Sequence, residues 1–274
     1  MTGATGRVGG RVLARLLERG ERVRALSRNP AAELPDGVEL AVGSPGDTAA
    51  VTAALDGVDA VFLVLVGDVE TEVRGFTAAL TAAAPRLVLL SSSSVVHPVP
   101  HRIAEEHRAA ETEVAAATAR WTFLRPGPFH SNALWWTGSV RGTGTVRCLV
   151  GNRPGAPIDP DDVAAIAVRA LTEDGHDGLA YELTGPQTLT SGDQVRILAR
   201  AAGRPIRFEV AAAEQAVAAF TAAGSDPVVA EGNVAALRSR EVPWGRPNGT
   251  AERLLGRPPR PFHAWAAEHA AAFG

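Results

Sequence analysis

The head of the chain sets the tightest constraint on its fold. Thr2-Gly3-Ala4-Thr5-Gly6-Arg7-Val8-Gly9-Gly10 spaces glycines as G-x-x-G-x-x-G and runs straight into the amphipathic segment Val8–Arg19. There Val8, Val12, Leu13, Leu16 and Leu17 share one helical face, Arg11, Arg15 and Arg19 point away, and Gly20 supplies the stop. Each glycine in such a spacing has a use: one permits a tight turn, one lets backbone approach a diphosphate, and one lets the helix pack close on a strand. The start of the helix then offers unpaired N–H groups and a positive dipole end to an anion. A merely flexible terminus is the alternative reading.

The rest of the chain supplies the context that a glycine spacing alone lacks. Short apolar runs at Arg22–Leu26, Val58–Val66, Arg86–Ser91, Arg120–Arg125, Thr145–Val150 and Ala180–Thr184 alternate with helix-like stretches. The helical stretches are Val8–Arg19, Thr48–Leu55, Glu70–Ala83, Ile103–Thr118 and Asp161–Leu171. Val58–Val66 is apolar on both faces, as a strand covered by helices on both sides must be. The alternation predicts an α/β, Rossmann-like, doubly wound parallel sheet with right-handed crossovers. After about residue 186 the pattern turns mainly helical, at Ser191–Ala202, Ala212–Ala223, Pro227–Arg238 and Phe262–Phe273. Residues 1–186 are therefore expected to form a dinucleotide-binding domain and 187–274 a smaller helical cap for substrate. Only Met1 and Thr2 precede Gly3, fewer than the ~5–6 residues of an ordinary strand, so the first strand is expected to be truncated.

Composition narrows the chemistry. All 27 basic residues are arginine, which removes Schiff-base chemistry, a phosphate-loop lysine and any Tyr-Lys pair, and Tyr181 is the single tyrosine. The net charge of −3 gives no basic field for nucleic acid. The lone cysteine, Cys148, has no internal disulfide partner, no apolar run reaches the ~20 residues of a membrane span, and the opening does not read as a signal segment. A cytoplasmic protein without membrane attachment is expected.

The segment Val23-Arg24-Ala25-Leu26-Ser27-Arg28-Asn29-Pro30 holds no acid until Glu33, where an NAD-preferring fold has an Asp or Glu for the ribose hydroxyls. Arg28, beside Ser27, offers a planar fork of donors suited to a 2′-phosphate. NADPH rather than NADH is the expected cofactor; a solvated surface arginine is the bland reading.

Several stretches resemble the NmrA-like, atypical short-chain dehydrogenase/reductase family, which includes NAD(P)H:quinone oxidoreductases and azoreductase-like proteins. They are Thr2–Gly6, Val23–Pro30, Gly57–Val64, Leu89–Ser93, Trp121–Gly127, Ile158–Ala164, Tyr181–Pro186 and Leu254–Pro259, so the likeness spans nearly the whole chain. The resemblance implies a cofactor site at Gly3, Thr5, Gly6, Arg7, Val8, Gly9, Ser27 and Arg28. It adds Ser44 near the adenine, Leu65 and Val66 near the nicotinamide-side ribose, and Ser91 and Ser92 near the ring. The family's usual Tyr, four residues before a Lys, is missing: the corresponding helix reads Glu105-Glu106-His107-Arg108-Ala109-Ala110-Glu111-Thr112-Glu113.

What survives is hydride transfer, which the cofactor itself supplies. Quinone-like, azo or other conjugated acceptors suit this residue set better than ketones, which need a proton as alkoxide charge builds. His107 is the one titratable catalytic candidate, with a surface pairing to Glu111 as the alternative. Phe129, His130, Asn132, Trp135 and Trp136 follow the Arg120–Arg125 run and are expected at the acceptor side, where the tryptophans would form an aromatic wall or simply pack. No metal is expected, since His101/Glu105 and His107/Glu111 lack a third ligand. The expected partner is a small molecule, with a homodimer and a protein partner as further options. The competing functions are a non-catalytic NADP(H)-binding redox sensor and a dinucleotide-independent cyclase or isomerase.

Overall fold

A computed structural model describes residues 1–80, 85–239, 242 and 244–274. In chain order the first elements are α1 (Gly9–Glu18), β1 (Arg24–Ser27), β2 (Glu39–Val42), α2 (Thr48–Leu55), β3 (Ala60–Leu63), α3 (Val69–Ala78) and β4 (Arg86–Leu90). There follow α4 (Arg102–Ala117), β5 (Trp121–Pro126), α5 (Thr137–Thr143), β6 (Thr145–Cys148), β7 (Pro154–Gly155), α6 (Pro160–Thr172) and β8 (Leu179–Leu183). The last are β9 (Leu189–Thr190), α7 (Ser191–Ala201), β10 (Arg207–Val210), α8 (Ala213–Ala222), α9 (Pro227–Arg238), α10 (Thr250–Leu255) and α11 (Phe262–Glu268). The expected end of the Glu70–Ala83 helix reaches residues 81–83, outside the described residues.

The chain forms two compact units. One comprises residues 1–95, 106–126 and 160–182; the other comprises 96–105, 127–159 and 183–274. The first holds a four-stranded sheet, β3-β4-β5-β8, in which β3–β4 and β4–β5 pair in parallel, as expected, and a parallel β1–β2 pair. Met1 and Thr2 lie between them. Thr2 bridges Leu26 in parallel, Leu26 N–H donates to the Met1 carbonyl at 2.8 Å, and Thr2 N–H donates to the Phe62 carbonyl at 3.0 Å. A cavity of about 530 Å³ opens beside Met1, bordered by Leu16, Val23, Arg24 and Phe62.

Alternation along the strands explains the double winding. Val61, Leu63, Leu87, Leu89 and Phe123 share a core with Val73 and Phe76 of α3 and Ala110 and Val114 of α4. Phe62, Val88 and Leu124 are as deeply buried and point the other way, the side on which α6 packs against β3, β4 and β5. α1 joins α6 there, tied by Arg15 to Asp161 at 2.6 Å.

The second unit has its own core. Val140, Val146, Val195, Leu198, Phe262, Trp265 and Phe273 meet there. β10 pairs in parallel with β6, and β7 pairs antiparallel with β9. Cys148 closes β6 at 3% exposure, its S–H donating to the Gly151 carbonyl at 3.3 Å. No helix among the described residues is long and apolar enough to cross a membrane.

Candidate functional site

The glycine loop is held at both ends. Thr2 Oγ1 donates to the Val64 carbonyl at 2.8 Å and accepts the Val64 N–H at 2.6 Å. Gly3 takes the left-handed φ of +65°, and a Cβ there would lie 3.0 Å from the Val64 Cβ. At Gly9 a Cβ would fall 2.0 Å from the Gly3 carbonyl oxygen, so the first turn of α1 crosses the loop only because it has no side chain. No side chain caps α1 and no acid stands in its first turn, which leaves that end electrostatically open to an anion.

A crevice of about 240 Å³ lies over this loop. Of the expected cofactor residues, Gly3, Thr5, Gly6, Ser27, Arg28 and Val66 line it. Ser27 Oγ accepts the Asn29 N–H at 3.1 Å and Asn29 Oδ1 accepts the Ala31 N–H at 3.0 Å, a turn that carries Arg28 into solvent. The Arg28 guanidinium donates to the Val66 carbonyl at 3.3 Å and makes no ion pair among the described residues. A cradle that admits no Cβ, an open helix start and an exposed guanidinium with no ion pair among the described residues together fit a dinucleotide phosphate.

The remaining expected cofactor residues are placed less directly. Arg7 is exposed and Val8 buried at the entry to α1, and Gly9 packs on the loop backbone. Ser44 lies between the lining residues Gly43 and Pro45 without lining the crevice itself, its Oγ accepting the Gly46 N–H at 3.3 Å. Leu65 packs against the sheet core. Glu72, absent from the sequence reading, is 5% exposed, lines the crevice, and accepts the Val66 N–H at 2.6 Å. Its signal lay in the acidic first turn of α3, where Glu70 and Glu72 follow the capping Asp68.

At the ends of β4 and β5 a second network forms. Ser91 Oγ donates to Glu111 Oε1 at 2.6 Å, and Arg125 grips the same carboxylate at 2.9 and 2.6 Å. Glu111 is 6% exposed, and its hydrogen bond raises Arg125 above the usual guanidinium range. His107 stands one turn earlier on α4. Burial pushes its imidazole below the ordinary value, with Glu111 opposing more weakly, and its Nδ1 is buried without a hydrogen-bond partner. Ser92 Oγ accepts the Ser94 N–H at 3.1 Å.

The expected acceptor-side residues belong to the second unit and do not act alike. His130 is fully enclosed, with Nε2 2.9 Å from the Pro157 carbonyl oxygen and its ring edge-on to Phe262, so it is a packing residue there rather than a surface for an acceptor. Phe129 bridges Ile158, the Asn132 N–H donates to the Phe129 carbonyl at 3.1 Å, and Trp136 packs on the core. Trp135 stands 70% exposed. The two tryptophans therefore do not form one wall.

Comparison with known proteins agrees with this geometry. Residues 3–174 match the family described as NAD(P)H-binding. The whole chain is 43% identical over 277 residues, covering 98% of the relative, to the (4-alkanoyl-5-oxo-2,5-dihydrofuran-3-yl)methyl phosphate reductase of Streptomyces griseus subsp. griseus. It is 35% identical over 282 residues to the NAD(P)H azoreductase of Xenophilus azovorans, covering 100% of this chain and 98% of that one. The NADPH-dependent quinone oxidoreductase QOR2 of Escherichia coli, solved with NADPH, superposes with a TM-score of 0.83 at 25% identity, over 97% of this chain and 98% of that one. Fold and crevice define an NAD(P)H-dependent oxidoreductase. The chain belongs to the NAD(P)H-binding family, within its NmrA-like, atypical short-chain dehydrogenase/reductase branch.

Proposed function

We propose that this chain uses NADPH to reduce a conjugated, planar acceptor whose first-formed anion is delocalised. The observation that carries the cofactor half is Arg28, a guanidinium at the glycine-loop crevice with no carboxylate partner among the described residues. The loop and the start of α1 would hold the diphosphate, and Arg28 with Ser27 the adenosine 2′-phosphate. The bound dihydronicotinamide supplies the hydride.

The acceptor half rests on the protons these residues can provide. Hydride addition to a ketone builds a localised alkoxide, which calls for a poised acid. The sole tyrosine is committed elsewhere in the fold, the Tyr181 hydroxyl lying 2.9 Å from His176 Nδ1, and there is no lysine. His107 is the proton donor of this reading, yet burial keeps its imidazole mostly neutral near pH 7. A phenolate, or an enolate spread over two carbonyls, tolerates slow protonation by His107 or water. The relatives support that chemistry: azo compounds and quinones are conjugated, and the S. griseus protein is named for a dihydrofuranone whose ring double bond is conjugated with two carbonyl groups on one of its carbons.

Titration with NADPH and then NADH, followed by turnover on quinones and simple ketones, tests the reading. Arg28→Ala should weaken NADPH by about 10- to 100-fold, the worth of one to two charge-assisted hydrogen bonds, and leave NADH nearly untouched. Equal losses for both coenzymes would remove the phosphate assignment. Ketones outpacing quinones would overturn the acceptor class.

A further inference from the structure

Several buried or half-buried arginines of this chain meet acids or carbonyls. Arg86 reaches Asp174 at 2.6 Å, Arg125 grips Glu111, Arg238 donates to the carbonyls of Leu149 and Ala211, and Arg260 reaches Asp159 at 3.4 Å. Arg153 departs from the pattern. Its Nη1 is buried with no hydrogen-bond partner, and it makes no ion pair among the described residues. Its guanidinium carbon lies over the Trp244 ring, 5.3 Å from the centroid. Burial pulls its guanidinium down to about 10, opposed only by Cys148, so it remains a cation at neutral pH.

The surroundings are built for a donor cluster. Trp244 is buried, its carbonyl accepts the Ala156 N–H at 2.7 Å, and a Cβ at Gly127 would stand 2.9 Å from the Trp244 Cβ. The His97 ring lies 5.5 Å from the indole, and His101 lies 5.1 Å from His97, edge to face. His97 Nδ1 lies 3.0 Å from the Val99 nitrogen and 3.1 Å from the Val99 carbonyl oxygen, and His101 Nδ1 approaches the same oxygen at 2.9 Å.

We infer that Arg153, lying over Trp244 and flanked by His97, forms an oxyanion subsite within the second unit that takes a phosphate monoester group. With an indole over one face, a guanidinium donates in plane through its edge, the geometry that grips a phosphate through two oxygens. A half-buried guanidinium with an unsatisfied N–H is costly, and a dianion offsets that cost more fully than a carboxylate does. The phosphate of the S. griseus relative's substrate has the same chemistry.

Calorimetric titration of the NADP⁺-saturated protein with methyl phosphate, and separately with acetate, tests the subsite. The coenzyme fills the glycine-loop crevice, so a loss on substituting Arg153 identifies the second site. Methyl phosphate should bind wild type, and at least ~10-fold more weakly after Arg153→Gln. Arg153→Lys, which keeps charge but not the fork, should fall between, and it decides the matter if circular dichroism shows Arg153→Gln unfolded. No binding to wild type, affinity unchanged by the substitution, or acetate binding as tightly as methyl phosphate would each overturn the assignment. The titration needs no turnover, so its failure and that of the reductase reading are seen separately.

Discussion

His107 shows what burial does to one side chain. Its imidazole protonates less readily folded than unfolded, chiefly through desolvation. The unfolded chain therefore binds the proton first, and the associated stability is complete above the ordinary value of about 6.5 and is lost as pH falls below it. His176 shifts in the same direction, so the informative quantity is a difference between proteins. Urea midpoints of His107→Gln should decline less than those of wild type between about pH 7 and 5; parallel declines would refute the burial effect. The place of Arg28 at the crevice was legible from sequence because it follows from a spacing after the glycine loop. Glu72 and Glu111 were not, because their roles come from partners, Val66 on one side and Ser91 and Arg125 on the other, that only the fold brings near.

At the scale of elements, Glu111 clamps α4 to the ends of β4 and β5. Removing its charge strands Arg125, whose side chain is only 20% exposed. Glu111→Gln should therefore cost about 3–5 kcal/mol in urea unfolding, and a Glu111→Leu/Arg125→Met pair much less. A single-variant loss below about 1 kcal/mol would reduce the clamp to a surface ion pair. Strands with continuous apolar runs, β3, β4 and β5, were plain in the sequence, as were Thr48–Leu55 and Pro227–Arg238, helices found at the expected bounds. Glu39–Val42 and Arg207–Val210 were missed. Each is four residues long with no buried residue, so neither carries a period that stands out from loop, and their pairing with β1 and β6 supplies what their side chains do not.

Across the molecule, the glycine-loop crevice is built wholly from the first unit. A ligand that binds only the folded form stabilises it by mass action, by about 2.7 kcal/mol at a hundredfold excess over Kd. NADPH should raise the thermal midpoint and slow amide exchange first in β1 and β3; an unchanged melt in saturating NADPH would contradict a preformed site. The helical tail was visible from sequence, whereas the joining of residues 96–105 and 127–159 to it was not, because compactness depends on contacts that skip along the chain. Cys148, the one thiol, is closed inside the second unit. A sulfhydryl dye can reach it only in molecules where β6 has come apart, so the labelling rate acts as a stopwatch for that half alone. If NADPH slows the dye, the halves open as one; if the rate ignores the coenzyme, each keeps its own time.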